Sequence, residues 1–458
     1  MTNIDVERIH EASLELLDDP GVRIEHDGVF GRLVKAGARP AREAQVVRLP
    51  GEMVAEWLRR APAQVHFADR RGGGYAIDPA GRARVWSCPG MNLLRRGERR
   101  TFRASDMADA ARLLDQLDSV DGVFGMALDD VPPGARDVVG LRVMAENTRK
   151  HIRVLSFTPA GADALCRMRP VLGDAPWFSV GFTAHGPLRW TNLALEIFAR
   201  TAGHGIPVTV NGEPMAGVSG PVTLAGSAAV GNAEILAGIV INQVLEPGRP
   251  CVYNLGLAHV LDMRTAIAVT GAPENALFAR MSAALGRFYN LPSGSWVSTE
   301  SMCVDSQAAL EKALAFREHL SAGVSLLWGA GQLESELTFS PAQAVIDDEI
   351  LSACRRYDRG VSTADEDLAL EVTRRVGIAG SFLDDEHTLA HFRDELWEPS
   401  ISWRNRRATW DEAGSPRLDE AAEARADALI SADQPPALSE DQRKELLRIE
   451  ADFLHRLP

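Results

Sequence analysis

The sequence predicts an α/β fold: a TIM-like (β/α)8 barrel with an N-terminal α+β cap and a C-terminal helical extension. Three observations predict it. Short apolar or β-branched runs alternate with helical stretches seven times over residues 106–350. Alternation of this kind implies parallel strands joined by helical crossovers. Seven or eight such units favour a closed barrel over an open sheet. The flanks read differently: residues 1–105 mix helices with extended pieces and turns, and residues 351–458 are helical and charged.

In chain order, the cap opens with a helix. Ile4 and Ile9, with Leu14, Leu16 and Leu17, recur near helical spacing, and Asp19-Pro20-Gly21 stops the run. A second helix spans 27–36 and ends at Gly37; residues 46–50 are extended; a third helix spans 52–60 and stops before Pro62. Residues 63–100 alternate apolar and polar around Gly72-Gly73-Gly74, which reads as strands and turns. The barrel runs expected as strands are 122–128, 151–157, 178–182, 207–211, 250–254, 293–297 and 325–328. The helices expected between them are 137–148, 161–171, 194–203, 229–245, 276–289 and 306–321. No run stands out as the eighth strand. A last amphipathic helix, 439–457, follows Pro435-Pro436 and is expected to serve packing or dimerisation.

Composition narrows the function. Lys+Arg total 49 against 63 Asp+Glu, a formal charge of −14, which disfavours nucleic acid and anionic membrane surfaces as partners. Five cysteines, no two closer than 51 positions, form no C-x-x-C pair and read as reduced thiols in a cytoplasmic protein. The opening Met1-Thr2-Asn3-Ile4-Asp5 lacks the basic and apolar regions of a secretory signal. Residues 220–245 are apolar, but Asn232, Glu234 and Asn242 mark them as a buried helix rather than a membrane span.

In a barrel the chemistry sits at the C-terminal ends of the strands. That rule turns the strand assignments into candidate substrate-binding residues: Phe157, Phe182, His185, Glu213, Tyr253, Asn254, Trp296 and Trp328. Only 6% of the chain is aromatic, yet five of these eight are. Several aromatic faces around one cavity attract a quaternary ammonium, each favourable contact contributing about 0.5–2 kcal/mol. His185 could bind a carboxylate or be structural; Glu213 could balance a cation or anchor its loop. Gly329 and Gly331 could let a large planar cofactor approach the backbone, or could simply form a turn. Phosphate loop, H-E-x-x-H, G-x-S-x-G and metal-ligand spacings are absent from the sequence, so no catalytic or metal-binding residue is assigned.

Beyond this point the residues resemble a known family. The stretch Glu213-Pro214-Met215-Ala216-Gly217-Val218-Ser219-Gly220-Pro221-Val222-Thr223-Leu224-Ala225-Gly226, continuing through Asn232-Ala233-Glu234-Ile235-Leu236-Ala237-Gly238, is similar to the trimethylamine methyltransferase family. That family includes corrinoid-dependent glycine betaine methyltransferases. Leu333-Glu334-Ser335 with Leu337-Thr338-Phe339-Ser340, the run 345–350, and His387-Thr388-Leu389 with His391-Phe392 and Trp397 extend the resemblance over nearly the whole chain. The resemblance implies a barrel that takes a methyl group from a methylated amine and passes it to Co(I) of a cobalamin-type corrinoid carried by a partner protein. The family's founding trimethylamine enzymes use pyrrolysine. This chain contains standard residues only, which resembles the branch acting on quaternary amines such as betaines. His185 or Asn254 would then be guesses for a carboxylate partner. Methyl transfer to a folate, or a silent quaternary-amine-binding protein, are the alternatives. A homo-oligomer is expected.

Overall fold

The computed structural model describes residues 4–457; Met1, Thr2 and Asn3 of the polar opening lie outside them. Eight parallel strands close into a barrel: β1 (Arg84–Ser87), β2 (Gly122–Phe124), β3 (His151–Arg153), β4 (Phe178–Thr183), β5 (Val208–Asn211), β6 (Cys251–Gly256), β7 (Ser293–Trp296) and β8 (Leu326–Ala330). Each is followed by a helix packed outside: α1 (Ala104–Gln116), α2 (Arg136–Asn147), α3 (Pro159–Met168), α4 (Asn192–Thr201), α5 (Leu224–Leu245), α6 (Pro273–Phe288), α7 (Ser306–Ser321) and α8 (Pro341–Arg359). β8 pairs with β1 through Leu327↔Val85 and Trp328↔Trp86, and β1 pairs with β2 through Trp86↔Gly122.

The closing strand, β1, lies inside the stretch 1–105 expected as cap, so the barrel begins before residue 106. Arg84-Val85-Trp86-Ser87 is four residues long, with two polar members, and follows a hairpin of similar texture, so local pattern alone could not separate it from that hairpin. The hairpin, Val65–Phe67 with Tyr75–Ile77, seals the N-terminal end of the barrel. Its Phe67 packs edge-on against Trp86 at 5.0 Å, and Tyr75 Oη accepts from Trp86 Nε1 at 2.6 Å. From there Val252, Leu326, Phe124, Trp296 and Trp328 continue an apolar column through the interior to the opposite end.

Other boundaries moved too, among them the end of β3, at Arg153 and not at residue 157. β2 stops at Phe124, not near Asp129-Asp130, which bind the segment entering α1: Thr101 Oγ1 donates to Asp129 Oδ2 at 3.0 Å and the Ala104 amide to Asp130 Oδ1 at 2.9 Å. The α5 helix begins at Leu224, ahead of the expected 229. It is long and apolar enough to cross a membrane by composition, yet its residues are packed into the wall: Gly238 sits against the Trp190 ring, and Asn232 bonds Ser13 and Tyr289 at 2.9 Å each.

At the C-terminus, Leu418–Ser431 lies on α8 and α1, and Glu440–Leu454 lies on α2 and α3. Arg142 of α2 holds the last helix through Glu450 at 2.6 Å, and Leu446, Ile449 and Phe453 of that helix are buried. Between these pieces, residues 360–416 carry the helices Asp365–Leu368, Leu370–Val376, Glu386–Glu395 and Arg407–Glu412, none with a buried residue.

Candidate active site

Side chains of a strand alternate between the barrel interior and the helical layer. At the C-terminal mouth this alternation selects which strand-end residues meet. A cavity of about 200 Å³ lies there, lined from β2 by Phe124, from β3 and its loop by Arg153, Leu155 and Ser156, and from β4 by Gly181 and Thr183. Asn211 and Glu213 come from β5, Leu257 from beyond β6, Trp296 from β7, Trp328 and Glu336 from β8 and its loop, and Pro89 from beyond β1.

Phe124 and Trp328 meet edge to face at 5.3 Å, and Trp296 lies on the same wall of the interior column. The indole Nε1 atoms of Trp296 and Trp328 are buried and have no hydrogen-bond partner. Two carboxyls face the same space. Burial pushes Glu213 up to about 7 and Glu336 up to about 8, with the Glu213 charge adding to the rise at Glu336. Both keep some accessible surface because they face the cavity, though protein surrounds them. Behind them Glu234 of α5 is also raised to about 7, first by burial and then by the charge of Glu213; its Oε1 accepts the Leu188 amide at 2.8 Å. A pair of neighbouring carboxyls with ionisations near neutrality holds one proton between them, and a cation entering the cavity favours the fully ionised form.

Local backbone explains how Glu336 reaches the mouth. Glu334, Ser335 and Glu336 have φ of 55°, 50° and 72°, three consecutive non-glycine residues in the left-handed region. Such backbone persists only where surroundings impose it, and commonly at functional sites. Here the restraints are on both sides. Arg99 forks onto Glu334 at 2.7 and 2.9 Å, the Glu334 amide donates to Ser301 O at 2.9 Å, and the Ser335 amide to Thr299 O at 2.9 Å. Preceding this loop, Gly331 donates its amide to Asp347 Oδ2 at 2.7 Å. Asp347 pairs with Lys312 at 2.9 Å; both side chains are fully buried, and Lys312 Nζ also donates to Gly329 O at 2.5 Å.

Arg153 is the unusual member. It is 5% exposed, its guanidinium lies 5.0 Å over the Phe124 ring, and burial lowers it to about 9, still protonated at neutral pH. Nη1 donates to Val154 O at 2.5 Å and Nη2 reaches Thr209 Oγ1 at 3.5 Å, while Nε has no partner. A Cβ at Gly181 would sit 2.1 Å from Nη2, so glycine on β4 is what makes room for this side chain.

Of the residues expected from the sequence, Glu213, Trp296 and Trp328 line the cavity. Asn254 lies one row behind: its Nδ2 donates to Asn211 Oδ1 at 3.1 Å, and Asn211 is the residue that faces the space. Phe182 and Tyr253 point the other way. Phe182 stacks on Phe198 of α4 at 4.0 Å and 9°, and Tyr253 donates to Asn232 of α5 at 2.9 Å; each is one position out of phase with the inward face. Phe157 is 37% exposed on the loop after β3, and His185 is exposed after β4; neither lines the cavity. Gly329 and Gly331 are buried rather than presented to a cofactor. Their φ values are 129° and 86°, and a Cβ would meet Val297 O at 2.0 Å and the Phe339 ring at 2.4 Å, so packing within the chain accounts for glycine there. Phe124, Arg153 and Glu336 escaped sequence reasoning. A lone arginine in the otherwise apolar run Ile152-Arg153-Val154-Leu155 was the available signal. Among the described residues no group of three or more His, Cys, Asp or Glu is placed to hold a metal ion.

The chain matches known proteins over nearly its whole length. Residues 1–456 match the family described as trimethylamine methyltransferase (MTTB). The chain is 30% identical over 453 residues to trimethylamine methyltransferase MttB of Desulfitobacterium hafniense, covering 94% of this chain and 89% of that protein. It is 28% identical over 465 residues to a glycine betaine methyltransferase of the same species, covering 96% and 93%. Its fold is similar to the crystal structure of Methanosarcina barkeri monomethylamine methyltransferase, with a TM-score of 0.55 at 13% identity over 93% of this chain and 87% of that one.

Proposed function

The chain belongs to the trimethylamine methyltransferase family, and on that premise we propose that it is a methyltransferase drawing a methyl group from a methylated ammonium, of the betaine type, for delivery to a corrinoid on a partner protein. The observation that carries the reading is the joint wall of the mouth cavity: three aromatic rings and two carboxyls around one space.

The residues fit the division of labour between this chain and a carrier. A cavity of about 200 Å³ is smaller than the roughly 300–1,000 Å³ of drug-sized sites, so it suits a small amine and not a corrin macrocycle. A corrinoid would therefore face the cavity from outside, where in its Co(I) state it supplies the electron pair that accepts the methyl group. As the N–CH3 bond breaks, its electron pair stays on nitrogen. From a quaternary donor the departing amine is neutral, so no proton has to be supplied to it. The chain must hold the cation, exclude water and orient one N–methyl bond. Trp296 and Trp328 offer ring faces to the cation, and Glu213 with Glu336 offers charge that becomes fully negative when the cation enters. Self-association of the chain is part of the same proposal, to be read by sedimentation.

The test is spectroscopic. Purified protein is mixed with Co(I) cobalamin, a corrinoid carrier protein and a panel of quaternary amines, and the formation of methylcobalamin is followed. Formation with a betaine is expected; no methyl transfer from any member overturns the reading.

A further inference from the structure

The cavity has two poles. At one, Glu213 and Glu336 present carboxyls that accept no side-chain hydrogen bond among the described residues. At the other stands Arg153, and among the described residues no carboxylate is recorded as pairing with it or shifting it; burial is the sole cause of its shift. Beside it, Trp296 Nε1, Trp328 Nε1 and Ser156 Oγ are buried without partners in the same space. A buried donor without an acceptor is a standing cost, and a buried unpaired guanidinium a larger one.

An unpartnered Nε also occurs at Arg169, outside the cavity, so the comparison is with the two fully buried cations that have close partners. Lys312 has Asp347 at 2.9 Å and Gly329 O at 2.5 Å. Arg249, fully buried, donates Nε to Ile206 O at 2.9 Å and Nη2 to Thr201 Oγ1 at 3.1 Å, and has Glu246 at 3.5 Å. Arg153 alone of the three faces a cavity with an unused Nε–H.

We infer that Arg153 anchors an anionic group of the substrate, so that the methyl donor is dipolar, with an N-methylated ammonium at the Glu213–Glu336 pole and a carboxylate at the guanidinium. The inference rests on the methyl-transfer reading and adds to it the residue that selects among ammonium compounds. The planar fork of arginine matches a carboxylate through two parallel N–H donors, which an ammonium side chain does not. Ser156 Oγ, buried without a partner and lining the same cavity, is a further donor. Asn254 and His185, the carboxylate partners guessed from the sequence, are respectively occupied by Asn211 and turned to solvent.

The test compares trimethylammonium carboxylates of increasing chain length, glycine betaine first, with tetramethylammonium and choline, which lack a carboxylate. Calorimetric binding and methylcobalamin formation are measured for wild type, Arg153→Gln and Arg153→Lys, with the melting temperature of each. At least one carboxylate is expected to bind wild type tenfold or more tighter than tetramethylammonium. Arg153→Gln should reduce that preference to under threefold while leaving tetramethylammonium binding within threefold. Arg153→Lys keeps the charge and should still lose at least tenfold for the carboxylate alone, which covers the case of a Gln variant that does not fold. Equal binding of carboxylates and tetramethylammonium by wild type, or equal loss of both in the variants, overturns the inference while methyl transfer stands. Carboxylate-selective binding with no methyl transfer from any compound overturns the functional reading and leaves the anchor in place.

Discussion

Lys312 and Arg153 are both buried cations at the mouth end of the barrel, yet their surroundings are opposite. Lys312 lies behind β8, closed in by Asp347, Gly329 O and the Gly331 turn, and its pair fixes the start of the loop that delivers Glu336. Arg153 lies inside the strand ring with one backbone acceptor, one distant hydroxyl and an unused Nε. A charge the fold needs is neutralised by the fold; a charge left open faces space that something else must fill.

The comparison breaks most visibly at the structural pair. Lys312→Ala leaves Asp347 buried without its cation, and a loss of about 3–5 kcal/mol is expected from denaturant unfolding. Arg153→Gln should lose no stability, because it removes an uncompensated charge; a loss comparable to Lys312→Ala would place Arg153 in the structural class and remove the contrast.

The carboxyl pole sharpens it through pH. Glu213 and Glu336 ionise at about 7 and about 8 in the folded chain, above their unfolded values, so the folded state binds more protons in between. Their stabilising contribution is therefore fully present in acid and lost as pH rises through 7 to 8. Compared with the Glu213→Gln/Glu336→Gln double variant, unliganded wild type should lose roughly 5 kcal/mol between pH 5.5 and 8.5. Its affinity for an ammonium ligand should rise over the same window, whereas the double variant should be nearly flat in affinity and keep only the shallower stability slope that Glu234, raised by its own burial, contributes.

Smaller effects test the aromatic wall. Trp296→Ala or Trp328→Ala should weaken ammonium binding by about 1–2 kcal/mol, tenfold or more. Phe157→Ala and His185→Ala, outside the cavity, should change binding by less than about 0.5 kcal/mol. Titration of tetramethylammonium against the four variants separates the two groups, and a large effect at Phe157 or His185 would mean that the cavity is not where the substrate sits.

Strand texture and helix spacing made most of the barrel legible. The helix 306–321 was located to the residue, and the helices 137–148 and 276–289 to within three positions, because apolar periodicity is a local property. The closing strand was not legible: Arg84–Ser87 becomes a strand through its pairing with β8 and β2, contacts more than 200 and about 35 residues away in sequence. The site was half legible for the same reason. The rule that function gathers at strand ends found Glu213, Trp296 and Trp328, but could not say which of two adjacent residues points inward, and so admitted Phe182 and Tyr253.

The sequence by itself determined the barrel class and the aromatic, carboxylate-bearing strand ends through local order, and the family through the resemblance carried by motifs such as the stretch from Glu213 to Gly226. The tertiary structure alone decided that Arg153 and Glu336 share one cavity with them. Inward or outward direction is set by the phase of each strand, and a slip of one residue reverses it. Which charges are neutralised depends on groups brought together from distant parts of the chain: Asp347 closes on Lys312, and no carboxylate closes on Arg153.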